Sequence, residues 1–310
     1  MRYSGIGGQA VMEGVMMRNG DKYAVAVRKP DGDIAVDVKN TRKINDIWHK
    51  IPIIRGVVAF VDSLVIGLGT LMYSASFFED EDNPAPDKSQ MTEDELKKAE
   101  RREKAEMGGT LTLSFVLALG IFFALPYFAS RLLQGRIESE ALLALIEGII
   151  RIAIFIGYVA AISHMEDIRR TFMYHGAEHK CINCVEHGMP LTVDNVRISS
   201  RQHKRCGTSF IFIVFIISVF VFMFISFDNI WLKLVARLLL IPVIAGISYE
   251  FLRLAGRYDN ALMTILSKPG LWLQNLTVLE PDDSMIEVGI ASVNAVFDVD
   301  EFLEKNKEFF

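Results

Sequence analysis

Two stretches of this chain, Leu111–Ser130 and Thr208–Phe227, run for 20 residues without a charged side chain. A helix rises about 1.5 Å per residue, so about 20 apolar residues match the roughly 30 Å hydrocarbon layer of a bilayer. Two further runs are apolar but carry charges. Ala141–Ser163 holds Glu147 and Arg151, and Lys233–Leu252 holds Arg237 and Glu250. A fifth, Gly56–Phe78, contains Asp62 and is rich in glycine and serine. With 51% apolar residues gathered in blocks, a soluble domain is excluded and an α-helical integral membrane protein is expected, with the lipid bilayer as its main partner.

The cationic side chains sort the segments. Lys and Arg number ten in 1–55, six in 79–109, seven in 164–207 and five in 253–310, while the connections Gln134–Glu140 and Asp228–Leu232 carry only Arg136. The positive-inside rule places the four rich segments, and with them both termini, in the cytoplasm of a cell bounded by an inner membrane. Four transmembrane helices satisfy this distribution, and Gly56–Phe78 is then expected as a re-entrant hairpin or in-plane helix, with a plain fifth span as the competitor. The chain divides accordingly into 1–55, 56–78, 79–109, a four-helix core at 110–252 with an inserted segment 164–207, and 253–310. No secretory signal is expected at the start. The net charge of −5 says little, because the charge is segregated, and no nucleic-acid partner is expected.

Outside the apolar runs, Tyr23–Arg28 and Ile34–Val38 alternate apolar and polar residues around Pro30-Asp31-Gly32-Asp33, the pattern of a β-hairpin. Pro84 and Pro86 precede Thr92-Glu93-Asp94-Glu95, a capping box that opens a charged helix to about Glu106. A second capping box at Ser284–Glu287 opens an amphipathic helix with Met285, Ile286, Ile290, Val293 and Phe297 on one side.

Between the apolar runs, Tyr174 to Cys206 holds four of six histidines and all three cysteines. Imidazole and thiolate are the side chains that bind zinc, and three cysteines suit metal ligation better than a disulfide framework. No proline interrupts Tyr158 to Glu186, so the Ala141–Ser163 helix is expected to continue to a C-cap at Gly188. On it His175, Glu178, His179 and Ile182 share one face. Two histidines one turn apart reach one ion, and His-x-x-Glu-His reverses the zincin order, in which the glutamate is a general base. His203 and Cys206 are the best remaining ligands. Cys181 and Cys184 are secondary, since Cys184 lies about half a turn around the helix from His175. A ribbon built from Cys181, Cys184, His203 and Cys206 is the alternative. Glu13, in a glycine-dense string, marks either a close backbone approach to a ligand or a tight turn. Glu250 and Arg55 lie level with the proposed metal, while Glu147, Arg151 and Arg237 are expected as a structural ion pair.

The segment Tyr174–Lys180, the string Arg205-Cys206-Gly207-Thr208-Ser209-Phe210 and the N-terminal Gly7–Arg18 resemble the YqhQ-like family, bacterial membrane proteins of unknown function described as predicted metal-dependent enzymes. The resemblance runs the length of the chain, including Ser248-Tyr249-Glu250 and Leu279–Asp283. It implies metal-site residues at His175, Glu178, His179, His203 and Cys206, and a minor role for Cys181 and Cys184, whose positions often differ in the family. Together these readings lead to one expectation, a zinc-dependent, hydrolase-like enzyme at the cytoplasmic membrane face with Glu178 as the base and a membrane protein or lipid as substrate. The alternative is a scaffold with a structural metal.

Overall fold

The structure, a computed structural model, describes residues 2–41, 48, 50–78, 92–225, 227, 229–257 and 260–309. The proline break at Pro84 and Pro86 lies outside the described residues.

Near the N-terminus, β1 (Ile6–Val11), β2 (Gly14–Asn19), β3 (Lys22–Arg28) and β4 (Ile34–Asn40) form one antiparallel meander in chain order. The hairpin expected from Tyr23 to Val38 is β3–β4. The glycine-dense string forms the β1–β2 hairpin, and Glu13, at φ +49°, sits in the tight Met12-Glu13 turn that closes it. Glycine's low strand propensity hid this pair, and its alternation shows only on the face packed against helices.

The sheet is a middle layer. Ile6, Val15, Met17 and Ala26 pack on Tyr174, Ala177 and Cys181 of α5 (Glu166–Glu186) and on Met285, Ile286 and Val293 of α10 (Asp283–Val296). The other face, Val11, Met16, Val25 and Val27, meets Ile66 and Tyr73 of α1 (Ile54–Ala75). Of the readings for Gly56–Phe78, the re-entrant hairpin is not seen, and a single helix is. α1 is one unbroken helix of 22 residues, because Gly67 and Gly69 are tolerated inside it where a hairpin needs a turn.

Among the described residues, four helices are long and apolar enough to cross a membrane: Ile54–Ala75, Ala105–Arg131, Glu140–Ile162 and Ile230–Gly256. The second belongs to a continuous rod. α2 (Glu93–Leu119) starts at the expected Thr92 capping box and passes through a π-turn at Gly120–Ala124 into α3 (Leu125–Arg131). α7 (Gly207–Met223) is 17 residues long, about 25 Å, and covers 16 residues of the expected Thr208–Phe227 span, with Phe224, Ile225 and Phe227 lying beyond its helical end.

The third span, α4 (Glu140–Ile162), does not run on to Gly188 as expected. Ser163 Oγ donates to the Ala160 carbonyl at 2.8 Å and His164 Nδ1 bonds the same oxygen at 2.7 Å, closing the helix, and α5 restarts at Glu166. Gly188 does end α5, at φ +79°. The chain then forms α6 (Val193–Ile198), α7, α8 (Ile230–Arg257), α9 (Ala261–Thr277), α10, α11 (Val299–Lys305) and a final 3-10 turn at Lys307–Phe309. α10 is capped by Asp282, which accepts from Met285 N–H at 2.9 Å, not by Ser284. The C-terminal segment contributes more than surface helices. α9 packs on α7 and buries Leu273, Gln274 and Thr277.

Inside the apolar bundle, Glu147 accepts from Arg151 at 2.6 Å and from Arg237 at 2.5 Å, all three side chains 6% exposed or less. Arg151 also donates to Ser218 Oγ at 2.9 Å and to the Phe122 carbonyl at 2.8 Å. Pro126 has no N–H to give back to that carbonyl one turn earlier, so the π-turn hands an acceptor to the arginine. Charges buried among apolar helices are costly unless paired, and this network pairs them.

Candidate metal centre and its cavity

α5 presents His175, Glu178 and His179 on one face, as the spacing requires. Each imidazole is fixed by its Nδ1. His175 Nδ1 bonds the Thr277 carbonyl at the end of α9 at 2.9 Å, and His179 Nδ1 bonds the Arg201 carbonyl at 2.6 Å. A carbonyl accepts only, so both rings carry a proton on Nδ1 and turn Nε2 inward. The rings lie 4.5 Å apart between centroids. Cys206, the residue before α7, brings its Sγ to 3.3 Å from His175 Nε2. Ligand atoms of His175, His179 and Cys206 all fall within 4.8 Å of one another. Tetrahedral zinc holds its ligands roughly 3.5 Å apart, so the three donors are slightly open for an ion of that kind.

Burial alone would push the Cys206 thiol up, but the electrostatic pull and hydrogen bonding of His175 and His179 outweigh it and hold the thiol well below its ordinary value. Burial conversely lowers His175, and the Cys206 thiolate raises it further, to about 9. The two groups favour each other's charged forms, and a metal ion held by His175 Nε2 and Cys206 Sγ would take the place of the proton between them.

Glu178 is 5% exposed, and its Oε2 has no hydrogen-bond partner among the described residues. Burial pushes its carboxyl up. Glu178 and His179 sit on the wall of a cavity of about 480 Å³, which is bounded by β1, by Ser63 and Ile66 of α1, and by Tyr249 and Arg253 of α8.

His203 lies beside this group but faces elsewhere. Its ring is 5.6 Å from that of His179, while its Nε2 is 3.6 Å from Glu186 and 3.3 Å from Arg205. Its main chain is clamped by Gln274, which accepts from His203 N–H at 2.9 Å and donates to its carbonyl at 2.8 Å. Burial raises the Glu186 carboxyl, but hydrogen bonding from His203 and the charge of Arg205 pull it down to about 2.

The other sequence candidates stand apart. Cys181 packs on α10, where a methyl added at Gly289 would come within 2.9 Å of its sulfur. Cys184 Sγ points at the Met189 and Pro190 carbonyls, at 3.7 and 3.5 Å. Burial pushes both thiols up, Cys184 to about 11. The four-residue ribbon is not assembled, since the one cluster found among the described residues includes neither cysteine. The helical step turns both away from His175, as the sequence implied. Glu13, at the β1–β2 turn, grips Arg170 with both oxygens at 2.5 Å and accepts from Tyr174 at 3.2 Å. Glu250 pairs with Arg55 through both oxygens, tying α8 to the start of α1. Both carboxylates hold elements together.

Sequence reasoning passed over Thr277, Arg201, Gln274 and Glu186. The two carbonyls carry no side-chain signal at all. Gln274 lies in an apolar stretch broken by Lys268-Pro269, and Glu186 reads like any polar helix residue.

A model of proteins of unknown function, DUF1385, matches residues 51–299. The chain belongs to this family. It is also 36% identical over 306 residues to the uncharacterized protein YqhQ of Bacillus subtilis (strain 168), covering 97% of this chain and 95% of that one. Neither description names an activity, a metal or a substrate. No solved structure matches.

Proposed function

We propose that this chain is a membrane-embedded, metal-dependent hydrolase working at the cytoplasmic face of an inner membrane. His175, His179 and Cys206 hold zinc, a metal favoured over magnesium or calcium by two imidazoles and a thiolate. One observation carries the reading: three suitable donors within 4.8 Å of one another, beside a buried carboxylate oxygen that has no partner. A structural zinc site closes all four positions with protein ligands, whereas this set offers three beside an open cavity. The four long apolar helices and the cationic loops support the membrane setting.

Zinc bound there would supply a Lewis acid that polarises a carbonyl or phosphoryl oxygen. Glu178, its pKa raised by burial, takes a proton from the attacking water. The water oxygen bonds to the electrophilic atom, the bond to the leaving group breaks, and Glu178 returns the proton to that group. His203 and Gln274 keep the Cys206 segment in place.

The test is elemental analysis and thermal melting of purified wild type, His175→Ala and Glu178→Gln, with complementation of a deletion strain. Under the hydrolase reading Glu178→Gln keeps zinc and melting temperature yet fails to complement. If Glu178→Gln complements while His175→Ala loses zinc and stability, the ion is a structural staple between α5 and α7. Zinc-free wild type sinks both.

A further inference from the structure

The cavity beside Glu178 has a wall made of main chain. β1 is the outer strand of the sheet, and its register with β2 decides which way its amides face. The two-residue Met12-Glu13 turn closes on the Val11–Gly14 pair, so Val11, Gln9 and Gly7 exchange hydrogen bonds with β2. Arg28 N–H donating to the Glu13 carbonyl on the other side of β2 fits the same alternation. Ile6, Gly8 and Ala10 therefore turn N–H and C=O outward. Ile6 N–H is taken by Ser4 Oγ at 3.1 Å. Gly8 and Ala10 have no further backbone partner among the described residues.

An open edge of this kind is a template for another strand, and proteins ordinarily cover or charge it. Here it is kept bare. Gly5, Gly7 and Gly8 line the cavity, and Gly7 and Gly8 are exposed. A methyl at Gly8 would lie 2.5 Å from the Met16 carbonyl and 3.0 Å from Glu178 Cγ, so only glycine keeps the strand this close to the carboxylate. A methyl at Gly7 would meet nothing within 4 Å, which leaves free space beside the strand.

The cavity also holds three arginines, which raises an anion as a rival occupant. Two are already matched. Arg18 pairs with Asp62 at 2.6 Å and Arg205 with Glu186 at 2.5 Å, leaving Arg253 as the one of the three without an ion pair among the described residues. One spare cation makes a weak phosphate site, whereas alternating free N–H and C=O groups match only another main chain.

Resting on the hydrolase reading above, we infer that the substrate is an extended polypeptide segment that adds to β1 as a fifth strand and passes its backbone in front of Glu178 and His179. Affinity then comes from main-chain hydrogen bonds, and side chains alternate between the cavity and the opposite face.

The probe is a randomised decapeptide library selected on full-length Glu178→Gln protein in detergent. The enriched peptide is remade with one N-methylated amide at a time. Binding should weaken about tenfold at every second position and hold at those between. Gly7→Phe, filling the free space, should abolish binding and leave the melting temperature unchanged. No enrichment over the Gly7→Phe protein, N-methyl effects without a period of two, or saturable binding of inorganic phosphate or phosphatidylglycerol vesicles that Gly7→Phe removes would each overturn the inference. Zinc is measured on the same protein. Zinc-loaded protein that selects no peptide refutes the peptide alone, and zinc-free protein that still binds with alternation refutes the hydrolase alone.

Discussion

Replacing Glu186 by glutamine should cost the fold about 3 kcal/mol at neutral pH, and two routes lead to that figure. The side chain is 0% exposed and accepts from Ser4 N–H at 2.9 Å, Ser4 Oγ at 2.8 Å and Arg205 at 2.5 Å. Against burial, hydrogen bonding from His203, the charge of Arg205 and the Ser4 N–H hold its carboxyl at about 2 against an ordinary 4.5, and at about 1.4 kcal/mol per tenfold change the difference is roughly 3 kcal/mol. Removing one partner of a buried ion pair independently costs about 3–5 kcal/mol. The low end applies, because Arg205 keeps 15% exposure and its stacking over the Tyr3 ring at 4.2 Å. Since the folded value lies below the unfolded one, this stability is complete above about pH 4.5 and drains away as pH falls toward 2. Melting curves of wild type and Glu186→Gln in detergent, from pH 7 to pH 3, measure it. Their midpoints should differ by roughly 6–12 °C at pH 7 and converge in acid. Coincident melts at pH 7, or a gap that survives at low pH, would refute the assignment of this carboxylate as the clamp on the N-terminus and the Cys206 segment.

The cysteines should separate by metal content: Cys181→Ala and Cys184→Ala retain one zinc per chain by elemental analysis, and Cys206→Ala loses it. Glu147→Ala leaves two buried arginines without their carboxylate and should lower stability by about 3–5 kcal/mol, read as an earlier midpoint in detergent melts. Gly176→Ala drives a methyl to 1.9 Å from the Leu279 carbonyl, which must move; a loss of about 1–3 kcal/mol is expected in denaturant titration, and an unchanged midpoint would show that α5 and the 278–281 segment are not packed as described.

Much of this architecture was legible because its signals are local. The charge-free run Leu111–Ser130 announces a long helix, and the i, i+3, i+4 spacing of His175, Glu178 and His179 announces a shared face. What stayed hidden depends on contacts across the chain. The break at Ser163–Met165 comes from side chains bonding back to Ala160, which competes with helix continuation only once the tertiary path is set. The β1–β2 hairpin is hard to read because glycine at position 8 is set by contacts the sequence does not display, the Met16 carbonyl across the pair and Glu178 on α5. Similarly, two of the groups that fix the imidazoles are carbonyls, invisible in any list of side chains.

The π-turn at Gly120–Ala124 is a trade between two helices. Proline at 126 withholds one hydrogen, the vacated oxygen at Phe122 becomes a socket, and the guanidinium of Arg151 plugs it from the neighbouring rod. Straightening the first helix with Pro126→Ala would set a restored amide in competition with that cation for one oxygen, so the irregular turn and the buried arginine can only be gained or lost together.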